Sequence, residues 1–234
     1  ASGDVQVLYA VGATSVILSA ANGADIKVLN MYSRSPKAFC MYSKDESLTT
    51  PESLKGKTIA GPAGTNLHEL LVSYLAQAGM SIDDVNYVSM SIPDAKAGLD
   101  GGSVDAALLA GAVAYNADKQ GYHKVTDGEG LIKAIIAVAT TQKFYDEHPE
   151  VIAQLEKSQQ EIADFMKENP DETMSIVAKE LDLDEEAVRE MYDYYDFSLN
   201  ISEDDIGGFQ KTADFMLESG MIDEALDVNS LFIK

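Results

Sequence analysis

The chain has 234 residues, 46% of them hydrophobic, with 39 acidic against 17 basic side chains and a formal net charge of -22 at pH 7. That content is enough for one large domain or two lobes of about 100 residues, and it excludes a disordered or fibrous protein. The negative charge excludes nucleic acid and an anionic membrane surface as expected partners, because both require cationic patches. We interpret most of the acidity as a solvated surface.

The cysteine content and the length of the apolar runs exclude further classes of protein. Cys40 is the single cysteine, so no internal disulfide and no thiolate metal cluster is expected. The apolar runs are shorter than the roughly 18 to 20 residues of a transmembrane helix, and no signal-peptide pattern or lipobox cysteine opens the chain. We expect any export signal to lie outside this sequence.

The first part of the chain alternates apolar runs with a helical pattern, which is typical of an α/β fold. Apolar runs ending at glycine or at the Ser35-Pro36 break predict strands, and apolar residues at helical spacing before Gly23 predict a helix. Thr50 before Pro51 predicts a single helical turn. The predicted strands are 6–12, 27–32, 38–42 and 57–60, and the predicted helix is 15–22.

A glycine-bearing loop leads directly into the next predicted helix, within the sequence GPAGTNLHELLVSYLAQAG. Apolar residues at 67, 70, 71, 74 and 75 form one helical face, and Gly79 marks the predicted end of the helix. Asn66 and Glu69 have the spacing of a capping box, which predicts Asn66 as the cap. The loop 61–66 therefore meets a helix N-terminus.

The α/β pattern continues to residue 140, after which the chain becomes helical and acidic. Nearly continuous apolar runs predict parallel strands covered on both faces at 86–90 and 105–110, with a helix at 93–100 between them. The run 131–140 predicts a further, longer strand. Four further helices are predicted to start near Pro149, Asn169, Asp184 and Ser202. The first of these has apolar residues on one face, at Val151, Leu155, Ile162, Phe165 and Met166.

Three stretches carry a resemblance to a known family. They read SLKGKTIAGPAGTNLHELLVSYLAQAGMSIDDVNYV, then PDAKAGLDGGSVDAALLAG, then FYDEHPEVIAQLEKSQQEIADFMKENPDE. Their order resembles the NMT1-like binding proteins of ABC importers for sulfonates, taurine, nitrate and pyrimidine precursors. The resemblance runs from Ser2-Gly3-Asp4 to Gly220-Met221-Ile222, which is practically the whole chain.

The resemblance implies an α/β, type II periplasmic binding protein fold with two lobes. Each lobe would hold a mixed sheet flanked by helices, a two-strand hinge would lie at 38–43 and 135–140, and the C-terminal region would be helical. Lobe one would comprise 1–42 and 141–234, lobe two 47–137, and the solute would bind between them.

Since the chain starts inside the Ser-Gly-Asp phrase, we expect a first-lobe sheet lacking its N-terminal strand, helix and strand. Its exposed edge could support self-association.

The candidate site residues lie where predicted strands pass into helices. A helix N-terminus offers unpaired N–H donors and the positive end of its dipole, so an anion can bind there without arginine. Because ligands of open α/β sheets bind beyond the carboxyl ends of strands, equivalent junctions in the other parts of the chain are candidates too. The predicted ligand-binding residues are Tyr9, Gly12, Ala13, Thr14, Gly64, Thr65, Asn66, Ala110 and Gly111.

Other classes of site find little support in the sequence. His68 is interpreted as an exposed first-turn residue or rim contact, and the three scattered histidines give no metal motif. No nucleophile elbow, Walker loop or GxGxxG is present, so no catalytic residue, metal or cofactor is predicted. A transcription regulator would need a helix-turn-helix and a basic face, and the sequence shows neither.

The resemblance therefore predicts an extracytoplasmic solute-binding component of an ABC importer, in the periplasm or lipid-anchored at the cell surface. Its partners would be a small anionic solute, such as a sulfonate, taurine or nitrate, and a membrane permease. Two alternatives stay open. One is a binding protein for a neutral pyrimidine precursor of thiamine, and the other is a pyrimidine-precursor synthase of the same fold, although that relative carries a cysteine-rich segment that this chain lacks.

Overall fold

The computed structural model describes residues 5–233, so the Ser2-Gly3-Asp4 phrase lies outside the described residues. The described chain divides into two compact units. The first holds the described residues up to Arg34, Ile135–Asp214 and the described residues from Ile222 onward. The second holds Ser35–Ala134 and Phe215–Met221. The lobe boundaries expected from the sequence stay a prediction.

The first unit contains a three-stranded sheet in the order β1-β8-β2. The strands are β1 (Val7–Gly12), β2 (Lys27–Arg34) and β8 (Ile135–Thr140). β8 pairs antiparallel with both neighbours, and a parallel bridge joins Val28 to Phe232. β1 lies at an edge of this sheet, and self-association through that edge stays a prediction.

In the described chain, one helix lies between the first two strands of this sheet, and five more follow its last strand. α1 (Ala13–Ala21) follows β1 directly, and α5 to α9 follow β8. The later helices are α5 (Gln142–Glu147), α6 (Pro149–Glu168), α7 (Pro170–Leu181), α8 (Glu185–Tyr192) and α9 (Glu203–Glu218). Two predicted caps are confirmed, because Asp184 accepts from the Ala187 N–H and Ser202 exchanges hydrogen bonds with Asp205.

The second unit contains a five-stranded mixed sheet in the order β5-β4-β6-β3-β7. β4 pairs parallel with β5 and β6, which confirms the predicted parallel strands, while β3 pairs antiparallel with β6 and β7. The strands are β3 (Phe39–Ser43), β4 (Thr58–Gly61), β5 (Asn86–Ser89), β6 (Ala106–Ala110) and β7 (His123–Asp127). The helices are α2 (Asn66–Ala76), α3 (Ile92–Gly101) and α4 (Gly111–Lys119).

The core of the second unit confirms the predicted face of α2. Leu67, Leu70, Leu71 and Leu75 are at most 1% exposed and pack with Ile59 of β4 in one cluster. Each leucine that is fully buried contributes about 1.5 to 3 kcal/mol relative to an exposed side chain. The same face therefore fixes the position of the α2 N-terminus against the sheet.

The predicted strand 131–140 was wrong at its start. It begins only at Ile135, because Ala134 has a φ of 47° that breaks the extended run. The predicted helix after Pro149 is confirmed as α6, and three apolar residues of its predicted face are exposed: Val151 is 43%, Ile162 55% and Phe165 37% exposed. Sequence reasoning also gave no account of α4, α5 and β7, whose patterns are short and polar.

Gly61 ends β4 at a point where the backbone passes close to a neighbouring strand. A Cβ added at Gly61 would lie 2.6 Å from the Leu108 Cβ, whereas one added at Gly101, at the end of α3, meets nothing within 4 Å.

We expect Gly61→Ala to lower the free energy of unfolding by about 1 to 3 kcal/mol through overpacking. Gly101→Ala is the control, and we expect it to be neutral or to stabilise by up to about 1 kcal/mol. Urea denaturation measures both; equal stability of the two variants would contradict the close approach.

Candidate functional site

The parallel pairing of β4 with β6 brings two predicted parts of the site to one edge of the second unit's sheet. Ile59 pairs with Ala106 and Ala60 with Ala107, so both strands end on the same side. β4 is followed by the loop 62–65 and α2, and β6 passes directly into α4. Gly64 and Thr65 therefore share an edge with Ala110 and Gly111, and two helices begin there.

Thr65, and not Asn66, caps α2. Thr65 has an extended backbone (φ -125°, ψ 171°), and its hydroxyl donates to the Pro62 carbonyl at 2.9 Å. Asn66 is the first helical residue and is 3% exposed. The predicted capping box of Asn66 with Glu69 was thus wrong, since the extended conformation that a cap requires lies at Thr65, whose side chain makes no capping hydrogen bond.

A histidine and a tyrosine hold the loop before α2. The Gly64 N–H donates to His68 Nδ1 at 3.3 Å, and the His68 ring stacks on Tyr87 with the two planes parallel and their centroids 4.8 Å apart. The Tyr87 hydroxyl donates to the Gly61 carbonyl at 2.8 Å. Burial lowers the pKa of His68 and raises the pKa of Tyr87 to about 12. His68 lies in the first turn of α2, as predicted, but it is partly buried and not exposed; a contact at the rim of the site stays a prediction.

The second helix start at this edge depends on a glycine conformation. Ala110 is the extended N-cap of α4, and Gly111, the first helical residue, has a φ of 55°. Residues with a side chain rarely adopt this φ, so Gly111 permits the direct passage from strand to helix. Both residues are partly exposed, so their backbone is within reach of a solute.

In the first unit, β1 passes into α1 with Gly12 as the N-cap. Ala13 and Thr14 follow and are 2% and 0% exposed, so their side chains are buried. Before this junction the pairing of β1 with β8 shifts register between Leu8 and Val11, and Ala10 has a φ of 64°. A non-glycine residue in this region stores strain, and such strain clusters at functional sites.

Tyr9, 48% exposed, belongs to a group of aromatic rings in the first unit. It contacts Tyr32 edge to face with ring centroids 5.3 Å apart, and Tyr32 contacts Phe197 in the same manner at 6.3 Å. Tyr195 stacks on Phe197 at 5.4 Å, and Tyr192 lies 5.7 Å from the same ring. The sequence gave no signal for this aromatic group, because its members are far apart along the chain.

Both arginines of the chain are engaged in ion pairs. Arg34 donates two hydrogen bonds of 2.6 Å to the Asp205 carboxylate and two more to the Ser198 and Asn200 carbonyls. The Arg189 guanidinium donates to the carboxylate of Asp171 at 2.7 Å. An anionic solute would therefore depend on N–H and hydroxyl donors instead of a guanidinium clamp.

Residues 5–233 contain neither a metal-binding cluster nor a membrane-spanning helix. No group of three or more His, Cys, Asp or Glu side chains within that range could hold a metal ion. In the same range no helix combines the length and apolarity required to cross a membrane. Cys40 is buried, and burial raises the pKa of its thiol to about 11, which disfavours the reactive thiolate.

Comparison with known proteins identifies the family. The model of the family described as NMT1/THI5 like matches residues 2–173. The chain belongs to this family. A Bacillus subtilis (strain 168) protein named for aliphatic sulfonate binding is 28% identical over 227 residues, covering 94% of this chain and 68% of that protein. The taurine-binding periplasmic protein of Escherichia coli (strain K12) is 27% identical over 175 residues, covering 73% of this chain and 54% of that protein.

The fold of this NMT1/THI5-like chain also matches solved structures. The alkanesulfonate-binding protein SsuA from Xanthomonas axonopodis pv. citri, bound to MOPS, superimposes with a TM-score of 0.88 at 21% identity. The match covers 99% of this chain and 81% of that structure. The α/β periplasmic binding protein fold predicted from the sequence is thereby confirmed.

Proposed function

We propose that this chain is the solute-binding component of an ABC importer, acts outside the cytoplasm, and binds a small organic sulfonate. The observation that carries the proposal is the pair of helix starts at one sheet edge, Gly64-Thr65 before α2 and Ala110-Gly111 before α4. Relatives named for sulfonate and taurine binding support the same ligand class. The importer's membrane permease would be the protein partner.

The chemistry of the donors favours a singly charged oxyanion. A sulfonate spreads one negative charge over three acceptor oxygens, which backbone N–H groups at helix N-termini can meet. A dianion such as a phosphate ester would favour a bidentate guanidinium, and Arg34 and Arg189 are both paired with aspartates. The formal charge of -22 adds long-range repulsion against multiply charged anions.

The test is isothermal titration calorimetry of the full-length protein with hexanesulfonate, taurine, nitrate and hydroxymethylpyrimidine. We expect hexanesulfonate to bind more tightly than nitrate and the pyrimidine. Tight binding of hydroxymethylpyrimidine without sulfonate binding would replace the proposal with the pyrimidine-carrier alternative. Chemical conversion of a bound ligand, followed by mass spectrometry, would support an enzyme of the same fold.

A further inference from the structure

We infer that His68 and Tyr87 are positioning residues that set the shape of the loop between β4 and α2. Two hydrogen bonds and one ring contact define this clamp: Gly64 N–H to His68 Nδ1, Tyr87 hydroxyl to the Gly61 carbonyl, and His68 stacked on Tyr87. The inference rests on the proposed function, because this loop is the proposed sulfonate site. The inference adds two residues that contact the loop and not the solute.

The hydrogen bond to Gly64 requires one particular form of the imidazole. Nδ1 can accept a hydrogen bond from the Gly64 N–H only if the ring is neutral and carries its own proton on Nε2. Burial lowers the pKa of His68, which keeps the ring neutral near pH 7. His68 is the third helical residue after the Thr65 cap, the position from which a side chain can turn back to satisfy a backbone N–H at the start of a helix.

Tyr87 ties the loop to a neighbouring strand. It lies on β5 and pairs with Ile59 of β4 in the parallel register, so its ring is anchored by the sheet. Its hydroxyl fixes the carbonyl at the end of β4, and its face fixes the plane of the His68 ring. The loop is therefore held at Gly61 and at Gly64, on either side of the Pro62 carbonyl that accepts from Thr65.

The consequence for binding is preorganisation. Gly64 has a φ of 67°. A glycine that nothing holds in this conformation would adopt many others as well. A loop held in one conformation loses less entropy when a solute orders its donors, so affinity depends on residues that do not contact the solute. Losing the acceptor on His68 should therefore reduce affinity with little change in folding.

Two substitutions at His68 separate the acceptor from the ring. His68→Asn places an amide oxygen where Nδ1 accepts, and His68→Phe keeps a stacking ring but removes the acceptor. With hexanesulfonate as the probe, we expect the affinity of His68→Asn to stay within about threefold of the wild type and that of His68→Phe to fall at least tenfold. Melting temperatures should differ by only a few degrees. Tyr87→Phe, which removes only the hydroxyl, should also weaken binding.

Nuclear magnetic resonance provides a readout that needs no ligand. At pH 7.5 the ¹⁵N shifts of His68 should report the Nε2–H form, and exchange of the Gly64 amide proton should be slow in the wild type and His68→Asn but faster in His68→Phe. Unchanged Gly64 exchange in His68→Phe would overturn the inference whether or not a sulfonate binds. Equal affinity losses in the Asn and Phe variants would overturn the acceptor role. Failure of the wild type to bind any sulfonate would instead reject the proposed function, and the exchange data would still decide whether the clamp exists.

Discussion

Asp205→Ala is expected to lower the free energy of unfolding by about 3 to 5 kcal/mol, because it leaves a partly buried guanidinium without its carboxylate. The Arg34 side chain is 17% exposed and that of Asp205 3%, and the pair shares two hydrogen bonds of 2.6 Å. Asp205 also accepts from the Ser202 N–H and hydroxyl at the start of α9. One substitution therefore removes an ion pair and the hydrogen bonds that the Asp205 carboxylate accepts from Ser202.

The other arginine of the chain provides the matched control. Arg189 donates to Asp171 at 2.7 Å, but the two side chains are 48% and 89% exposed. An exposed pair contributes only about 0 to 1 kcal/mol, so Asp171→Ala should be nearly neutral. Urea denaturation at pH 7 measures both variants. Equal losses of stability in the two variants would mean that burial does not determine how much the Arg34–Asp205 pair stabilises the fold.

The same carboxylate predicts how stability depends on pH. Burial by itself raises the pKa of Asp205, but hydrogen bonds from Arg34 and Ser202 outweigh burial and lower it to about 2. Because the folded-state pKa lies below the unfolded value of about 3.9, the stabilisation is present above pH 4 and is lost as pH falls through 2. The stability difference between wild type and Asp205→Ala should therefore narrow over that range.

Thr65→Asp is expected to weaken sulfonate binding at least a hundredfold while leaving the fold intact. Aspartate is a preferred N-cap and favours the positive end of the α2 dipole, so the helix should be as stable as before or slightly more stable. Two like charges about 4 Å apart repel by about 4 kcal/mol at an effective dielectric constant of 20. That energy corresponds to a loss of roughly a thousandfold in affinity.

Thr65→Asn separates the charge from the change in shape. Asparagine has nearly the same size and capping preference as aspartate but no charge, so hexanesulfonate affinity should stay within about tenfold of the wild type. Calorimetry gives the affinities and thermal unfolding gives the stabilities. If Thr65→Asp bound hexanesulfonate as tightly as Thr65→Asn, the anion would bind elsewhere and the α2 junction would be only a helix start.

The local features of this protein could be predicted from its sequence because each depends on neighbours along the chain. The apolar positions from Leu67 to Leu75 gave the buried face of α2, and Ser202 with Asp205 gave the cap of α9. Near-continuous apolar runs indicated the parallel strands β5 and β6, which both pair with β4. Together with the family resemblance, these patterns led to the fold that the comparisons confirm.

The tertiary structure decided what depends on residues distant in sequence. No local pattern pairs Arg34 with Asp205, places Tyr87 over His68, or brings Phe197 to Tyr32. Each contact requires strand register and helix packing that many segments set together, and a pairing shifted by one residue would turn the side chains to the other face. Sequence alone therefore determined most of the elements and the family, whereas packing between elements decided which charges are paired and which side chains hold the candidate loop.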